Sequence, residues 1–491
     1  MNVLFAAAEM SPIVKVGGLG DVAGSLPRAL RALGHDVRVA LPLYGTVDRE
    51  AYRLERIASD IEVPWRPAAE RVGLWRAEVR GVPVYLIEHE RMFGRNAVYG
   101  FKDDLERFLF FCDALLACAP HLGFAPDVVH AQDWHTALLL TRLSAMRAHP
   151  WAGLGRVYTI HNLGLQGKFT RRFADVHGIG ARQLRVPGGL PANTAMSAMA
   201  QGILHAGRVN TVSETYAREI TTKAYGAGLE RLLRARLRVL SGIVNGIDYE
   251  EFDPAKDKHL IRRFSAQRLS ARIEDKRALQ RVAGLPVDDS VPLFATVTRL
   301  YAQKGIDLVP GASRRLLEAG RAQLVILGNG DGKVHRALLA LEARYQEQVK
   351  VWLEFNAALG QQIYGGCDVF LMPSRYEPCG LGQLISLRYG AVPLVRRTGG
   401  LADTVTDIDA APAEGTGYVF DGALGDDRLL RAELRGAMER AARAYADRRG
   451  WRAMQLRGMR QDWSWGRAAG RYVELYEGVT KTPARARGTR R

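Results

Sequence analysis

Pro373-Ser374-Arg375-Tyr376-Glu377-Pro378-Cys379-Gly380-Leu381-Gly382-Gln383 is the stretch on which the reading of this chain turns. Ahead of it, Cys367-Asp368-Val369-Phe370-Leu371-Met372 is a short apolar run bounded by turn formers, the pattern of a buried strand. Behind it, Leu384 to Tyr389 reads as the body of a helix. The stretch is therefore a strand-to-helix loop, where open α/β sheets hold their ligands. Pro378 and Gly380 fix its shape, and the N–H groups of Gly380, Leu381 and Gly382 open toward a helix N-terminus, which attracts anions. Glu377 is a carboxylate at the rim of that cradle. A loop glutamate taken alone is most often a solvated acid; the rest of the chain gives this one its weight.

Working outward, the chain alternates apolar strands with amphipathic helices. Strands are expected at Asn2 to Ala8, Asp36 to Pro42, Pro83 to Ile87, Asp127 to Ala131, Arg156 to Ile160 and Val209 to Val212. Helices fill the gaps, notably Val22 to Leu33, Leu105 to Ala117 and Thr136 to Arg147. That is βαβ order, hence a parallel sheet covered on both faces. Near residue 240 the pattern restarts with Ser241 to Asp248, read as a strand ending in a turn. New strands follow at Pro292 to Thr298, Gln323 to Gly328, Val349 to Phe355, Cys367 to Met372 and Val392 to Arg396. The expected fold class is α/β, two Rossmann-like doubly wound domains in tandem facing a cleft, over 1–240 and 241–465.

Composition sets limits. The chain has 491 residues and a formal charge of +17, mostly arginine spread along helices. That charge suits phosphorylated substrates or polyanions. A nucleic-acid protein would show a basic stripe interleaved with aromatics, and none is present, so no nucleic-acid partner is expected. Residues 479–491 read as a disordered basic tail. Four cysteines without a Cys-x-x-Cys pair argue for a reducing compartment and against structural zinc. With no signal-like leader and no membrane-length apolar run, the expectation is a cytoplasmic protein without a membrane partner.

Three further stretches carry chemistry. Lys15-Val16-Gly17-Gly18-Leu19-Gly20-Asp21 follows the first strand; its glycines allow close backbone approach to a ligand, and Lys15 offers a positive charge. It is neither a dinucleotide fingerprint nor a Walker loop: Gly24 falls four after Gly20, and no Gly-Lys-Ser/Thr closes it. His130-Ala131-Gln132-Asp133-Trp134-His135 and Thr159-Ile160-His161-Asn162 end two strands. Their imidazole, carboxylate, amide and indole groups suit a polyhydroxylated ligand, with a metal on His130, Asp133 and His135 as the rival reading. Arg299 and Lys304, in Thr298-Arg299-Leu300-Tyr301-Ala302-Gln303-Lys304-Gly305, are five apart on a loop and can close on one diphosphate from two sides. Leu327 to Gly332 is a tight glycine turn, Phe355 is expected to end a strand where a base could stack, and Asp407-x-Asp409 is a weak match to a metal-nucleotide pair.

Together and in this order, these stretches resemble the bacterial glycogen synthases and plant starch synthases, retaining glycosyltransferases of the two-Rossmann GT-B type. Asn245-Gly246-Ile247-Asp248 and Arg396-Arg397-Thr398-Gly399-Gly400-Leu401 add to the likeness, which spans roughly Met1 to Tyr476. The resemblance implies glucose transfer from ADP-glucose to the non-reducing end of an α-1,4-glucan (glycogen), with retention and without metal or other cofactor. It implies that Arg299 and Lys304 neutralise the departing diphosphate, that Glu377 fixes the donor glucose, and that His161 holds the sugar. Asp21 and Asn245 would reach the sugar and phosphates, Phe355 would stack on adenine, and Cys379, Gly380, Leu381 and Gly382 would line the donor loop. Lys15 and Gly18 belong to the same set; Asp133, Trp134, His135 and Asn162 would face the acceptor. The last helix, about 466–478, would return to the first domain. Gly382, Gln201 and Asn356-Ala357 depart from the family pattern, which usually has threonine, lysine and an acidic pair there. The alternatives are a related GT-B enzyme using UDP-glucose or another donor, and a glucan-binding protein without turnover.

Overall fold

Runs of Val, Leu, Ile, Phe and Ala with few polar interruptions become strands buried on both faces, and the computed structural model, which describes residues 1–480, arranges them in two sheets. The described chain divides into two units: Met1–Asn245 with the segment from Trp465 onward, and Gly246–Ser464.

The first unit holds β1 (Asn2–Ala6), β2 (Asp36–Pro42), β3 (Glu55–Val63), β4 (Glu70–Val79), β5 (Val82–Glu88), β6 (Val128–Gln132), β7 (Gly155–Ile160), β8 (Arg208–Thr211) and β9 (Leu240–Gly242). Their order is β3-β4-β5-β2-β1-β6-β7-β8-β9. All neighbours are parallel except β3–β4 and β4–β5. From β1 the chain runs outward one way to β2 and, after β5, reverses to β6 on the other side. The β1/β6 boundary is thus a topological switch point, where the loops after the two strands diverge and leave a crevice.

The second unit holds β10 (Leu293–Val297), β11 (Gln323–Leu327), β12 (Val349–Trp352), β13 (Val369–Met372), β14 (Val392–Arg396) and β15 (Tyr418–Phe420), ordered β12-β11-β10-β13-β14-β15 and parallel throughout. Its switch point lies between β10 and β13. Phe294, Leu324, Ile326, Val369, Leu371 and Leu394 pack against Leu434, Met438 and Trp451 in one apolar cluster. Each such side chain contributes about 1.5–3 kcal/mol on burial. Beneath the same strands Lys276 is buried, paired with Asp368 at 2.8 Å and donating to the Tyr445 hydroxyl and the Val291 carbonyl. Asp368 also accepts from Leu293 N–H at 2.9 Å, which ties β13 to the start of β10.

Several expectations need correction. The strand over 240–242 does not open the second unit; it pairs with β8 at the edge of the first sheet, and the units divide at Asn245/Gly246. Gly242 allows this, because a Cβ there would meet the Ser213 backbone. Val349 to Phe355 is a strand only to Trp352, and the first helix begins at Gly18 rather than Val22. Strands β3, β4 and β15 had no counterpart in the sequence reading. The returning helix is Trp465–Thr480, packed on the first unit through Tyr472 and Tyr476, which hydrogen-bond Asn210 and His130. The basic tail lies outside the described residues from 481 on. Among the described residues no helix is long and apolar enough to cross a membrane.

Candidate active site

In the second unit the side chains of interest follow β10 and β13, the two strands of the switch point. After β10, a 3-10 turn over Ala302–Lys304 ends at Gly305, whose φ is +66°. A Cβ there would strike the Pro373 carbonyl, so the turn sits directly on the loop after β13. Lys304 crosses that contact. Its Nζ donates to Glu377 Oε1 at 2.9 Å and Oε2 at 2.7 Å, while Ser374 Oγ donates to Oε2 at 2.8 Å. Glu377 is only 4% exposed. A carboxylate this deep must be paired and hydrogen-bonded, and Lys304 and Ser374 meet that need.

The loop around Glu377 is held from three sides. Arg375 N–H donates to the Gln303 carbonyl at 2.8 Å, and Arg375 itself forks onto Asp307 and reaches Asp427, carboxylates that hold its guanidinium pKa up. Buried Arg396 donates to the Arg375 carbonyl at 2.6 Å and to the Gly422 carbonyl. Gly399, with φ +44°, lies against the Glu377 backbone, and Gly400 N–H donates to the Glu377 carbonyl at 3.1 Å. Gln383 Nε2 donates to the carbonyls of Cys379 and Gly380. Cys379 is buried, Gly380 has φ +76°, and Leu381 leads into the helix Gly382–Arg388. That helix has two turns, so cationic side chains are the main attraction for an anion here. Arg299 is the obvious one: it is exposed and has no side-chain hydrogen bond or ion pair among the described residues.

Phe355 lies three residues beyond β12 and is 89% exposed. Asn356 caps the helix Ala357–Gly366, its side-chain oxygen accepting from Leu359 N–H at 3.0 Å. Asp407 accepts from the N–H groups of Asp409, Ala410 and Val419, and Asp409 pairs with Arg440. Both acids of that weak Asp-x-Asp match are thus engaged.

In the first unit the corresponding loops follow β1, β6 and β7. Glu9, which the sequence reading passed over, organises the first. Its buried carboxylate accepts from Val16 N–H at 2.5 Å, Gly17 N–H at 2.9 Å and the Tyr99 hydroxyl at 3.2 Å. Burial nevertheless pushes its pKa up. Lys15 pairs with Asp21 at 2.6 Å; burial raises the Asp21 pKa and Lys15 opposes it. Gly18 stands where an added Cβ would meet nothing within 4 Å.

Asp133 is the first residue of the helix Asp133–Ala145, not part of a strand end, and its φ is +52°. Aspartate tolerates that conformation better than most residues. Its Oδ1 accepts from His161 N–H at 2.8 Å and Asn162 N–H at 3.3 Å, and burial pushes its pKa up to about 7. Asn162 in turn accepts from Gly164 N–H. His161 Nε2 lies 2.8 Å from Gln132 Oε1, and burial pushes the imidazole down to about 3, so the ring is neutral at physiological pH.

The remaining sequence candidates are placed less openly. His130 is fully buried between Tyr476 and Thr159, at 2.9 and 2.7 Å, and serves the fold. His135 is buried in an aromatic cluster, stacked on Tyr99 at 4.7 Å and beside Phe108 and Trp134; burial holds its pKa near 3. Trp134 also packs over Gly167. Asn245 is buried, and its Oδ1 has no hydrogen-bond partner among the described residues. Gln201 is satisfied by Thr141 and the Ala195 carbonyl, occupying without charge the place of the family's usual lysine. Among the described residues no group of three His, Cys, Asp or Glu is placed to hold a metal.

Two doubly wound parallel-sheet units in one chain, with a basic pair and a buried carboxylate at the switch point of the second, define the GT-B class of glycosyltransferase. Residues 2–235 match the starch synthase catalytic domain, and residues 280–442 match glycosyl transferases group 1. The chain belongs to the glycogen and starch synthase family. It is 43% identical over 479 residues to a glycogen synthase of Moorella thermoacetica, covering 97% of this chain and 96% of that protein. A glycogen synthase of Anaeromyxobacter sp. is 44% identical over 486 residues, 98% of this chain and 99% of its own. Among solved structures, the catalytic domain of starch synthase IV from Arabidopsis thaliana, bound to ADP and acarbose, superposes with a TM-score of 0.88 at 33% identity, covering 98% of this chain and 99% of that one. A sucrose-phosphate synthase from Thermosynechococcus elongatus, 17% identical with a TM-score of 0.58 over 97% and 98% of the two chains, shares the fold.

Proposed function

We propose that the chain is a glycogen synthase that moves glucose from ADP-glucose to the non-reducing end of an α-1,4-glucan, retaining the anomeric configuration and using no metal. The observation that carries this reading is Lys304 on both oxygens of buried Glu377, on the same loop after β10 as exposed Arg299, whose side chain has no partner among the described residues. The relatives bear the glycogen synthase name, and the plant relative was solved with ADP and acarbose.

Charge develops on the diphosphate as the sugar–phosphate bond breaks, and preorganised cations aimed at it lower the barrier without reorganising. Arg299 supplies a planar fork and Lys304 a point charge, which together replace a metal clamp. Glu377, fixed by Lys304 and Ser374, hydrogen-bonds the donor glucose and stabilises oxocarbenium character at its anomeric carbon. His161, Asp21 and Asn245 serve the donor sugar and phosphates; Phe355 stacks on adenine. Lys15 and Gly18, on the loop after β1, belong to the same donor set. Asp133 holds the His161–Asn162 turn, and with Trp134, His135 and Asn162 shapes the acceptor side. Water is excluded from a donor that would otherwise hydrolyse.

Incubation of purified protein with glycogen and ADP-glucose tests the reading. Glucan elongation with stoichiometric ADP release is expected; neither appearing would refute it. A parallel panel with UDP-glucose decides the donor. If glycogen binds, no donor turns over and Glu377→Ala changes nothing, the chain is a glucan-binding protein instead.

A further inference from the structure

We propose that Gln132 is a positioning residue that sets the tautomer of His161, a proposal that rests on the role given above to His161 at the donor sugar. Gln132 is the last residue of β6 and caps the helix that follows, its N–H and carbonyl both engaged by the Thr136 hydroxyl at 2.6 and 2.9 Å. Its backbone cannot drift. In register it pairs with Thr159 on β7, and His161 lies two residues further on. Alternation along the strand puts His130 and Gln132 on one face of β6. Two polar rungs therefore join the strands: His130 Nε2 to Thr159 Oγ1 at 2.7 Å, then Gln132 Oε1 to His161 Nε2 at 2.8 Å.

Among the described residues, the second rung is the only polar contact that the Gln132 side chain makes. The residue has no exposed surface, and its Nε2 is buried without a hydrogen-bond partner among the described residues. A side chain kept for packing alone would be better as methionine or leucine, which leave no buried amide unsatisfied. The amide oxygen acts on His161. A neutral imidazole has one N–H and one lone pair. With Nε2–H donated to Gln132, the lone pair is confined to Nδ1, so the ring offers a fixed acceptor to a sugar hydroxyl. The His161 backbone N–H is separately committed to Asp133, so ring tautomer and turn position are set by two different residues.

The test is a long-range ¹H–¹⁵N spectrum of the full-length protein labelled at histidine nitrogens, with the His161 signals assigned by their loss in His161→Gln. The Nε2–H tautomer is expected for His161 in the wild type, and the Nδ1–H tautomer would overturn the proposal. Gln132→Met, close in size but without an acceptor, is expected to give a mixture of tautomers. It should lower kcat about tenfold, the effect of one misdirected hydrogen bond, while KM for ADP-glucose moves less than about twofold. A Gln132→Met protein that keeps the pure tautomer and full kcat refutes the proposal. If that variant fails to fold, the wild-type spectrum still decides. Because the spectrum needs no turnover, absence of glucan elongation would refute the role of His161 at the donor without touching this measurement.

Discussion

Replacing Lys304 with methionine should separate what this residue does for the fold from what it does for the reaction. Its ammonium lies on both oxygens of Glu377, and among the described residues the only other side-chain group on that carboxylate is the Ser374 hydroxyl. The two side chains are 16% and 5% exposed, so the pair is a buried one. Removing one member of a buried pair costs about 3–5 kcal/mol, chiefly because the other charge is stranded. Lys304 keeps some access to water, which favours the lower end, about 3 kcal/mol. Amides of β10 and β13 that exchange by unfolding of the second unit should then exchange roughly a hundredfold faster by hydrogen-exchange mass spectrometry. Adding Glu377→Gln removes the stranded charge and should recover about 2 kcal/mol, a coupling expected only of residues in contact. Activity should not recover, because the double variant lacks both the cation and the anion. A single variant within about 0.5 kcal/mol of wild type, or a double variant no more stable than the single, would refute the reasoning.

Other expectations follow from particular contacts. His135 is held neutral near pH 3, whereas the unfolded chain protonates it below its ordinary 6.5; the unfolded state therefore binds the extra proton, and stability falls as pH drops through that window. His135→Phe should remove about 2 kcal/mol of the loss between pH 7 and pH 5 in urea titrations, and an unchanged acid limb would contradict this. Phe355→Ala should leave stability within about 0.5 kcal/mol, since the ring is 89% exposed, yet raise KM for ADP-glucose about tenfold through lost stacking; an unaltered KM would remove Phe355 from the donor site. At Gly382 an added Cβ would lie 2.9 Å from Phe370 Cε1 and 3.3 Å from Met372 Sδ. Restoring the family's threonine by Gly382→Thr should therefore cost about 1–3 kcal/mol, relieved by Phe370→Leu, and a neutral Gly382→Thr would contradict the packing.

Much of this organisation was legible in the sequence because parallel strands covered on both faces read as unbroken apolar runs. Asp36 to Pro42 and Val392 to Arg396 were bounded to the residue on that basis. Strands β3 and β4 were not, since Glu55–Val63 and Glu70–Val79 are antiparallel, half exposed and interrupted by four charged residues each. β15 is three residues long and has little periodicity to detect. The ligand loops were found through their glycines and cations. The residues that hold them were harder to see. Glu9 offers one signal, a lone acid closing the apolar run Val3 to Ala8, but nothing local says that its partners are Val16 and Gly17. Gln132 became visible only when strand register set it beside His161. Asp133 to His135 were assigned to a strand end because a helix beginning with a left-handed residue has no sequence signature of its own.

The claim on which the account rests is that the cations of the β10 loop receive the donor's diphosphate. Calorimetric titration of ADP into the wild type and into Arg299→Met measures that directly. Arg299 is exposed and unpaired among the described residues, so the substitution should leave stability unchanged. ADP affinity should fall by about ten- to a hundredfold, the worth of a charge-assisted hydrogen bond to phosphate. Equal ADP affinity in the two proteins would contradict the account.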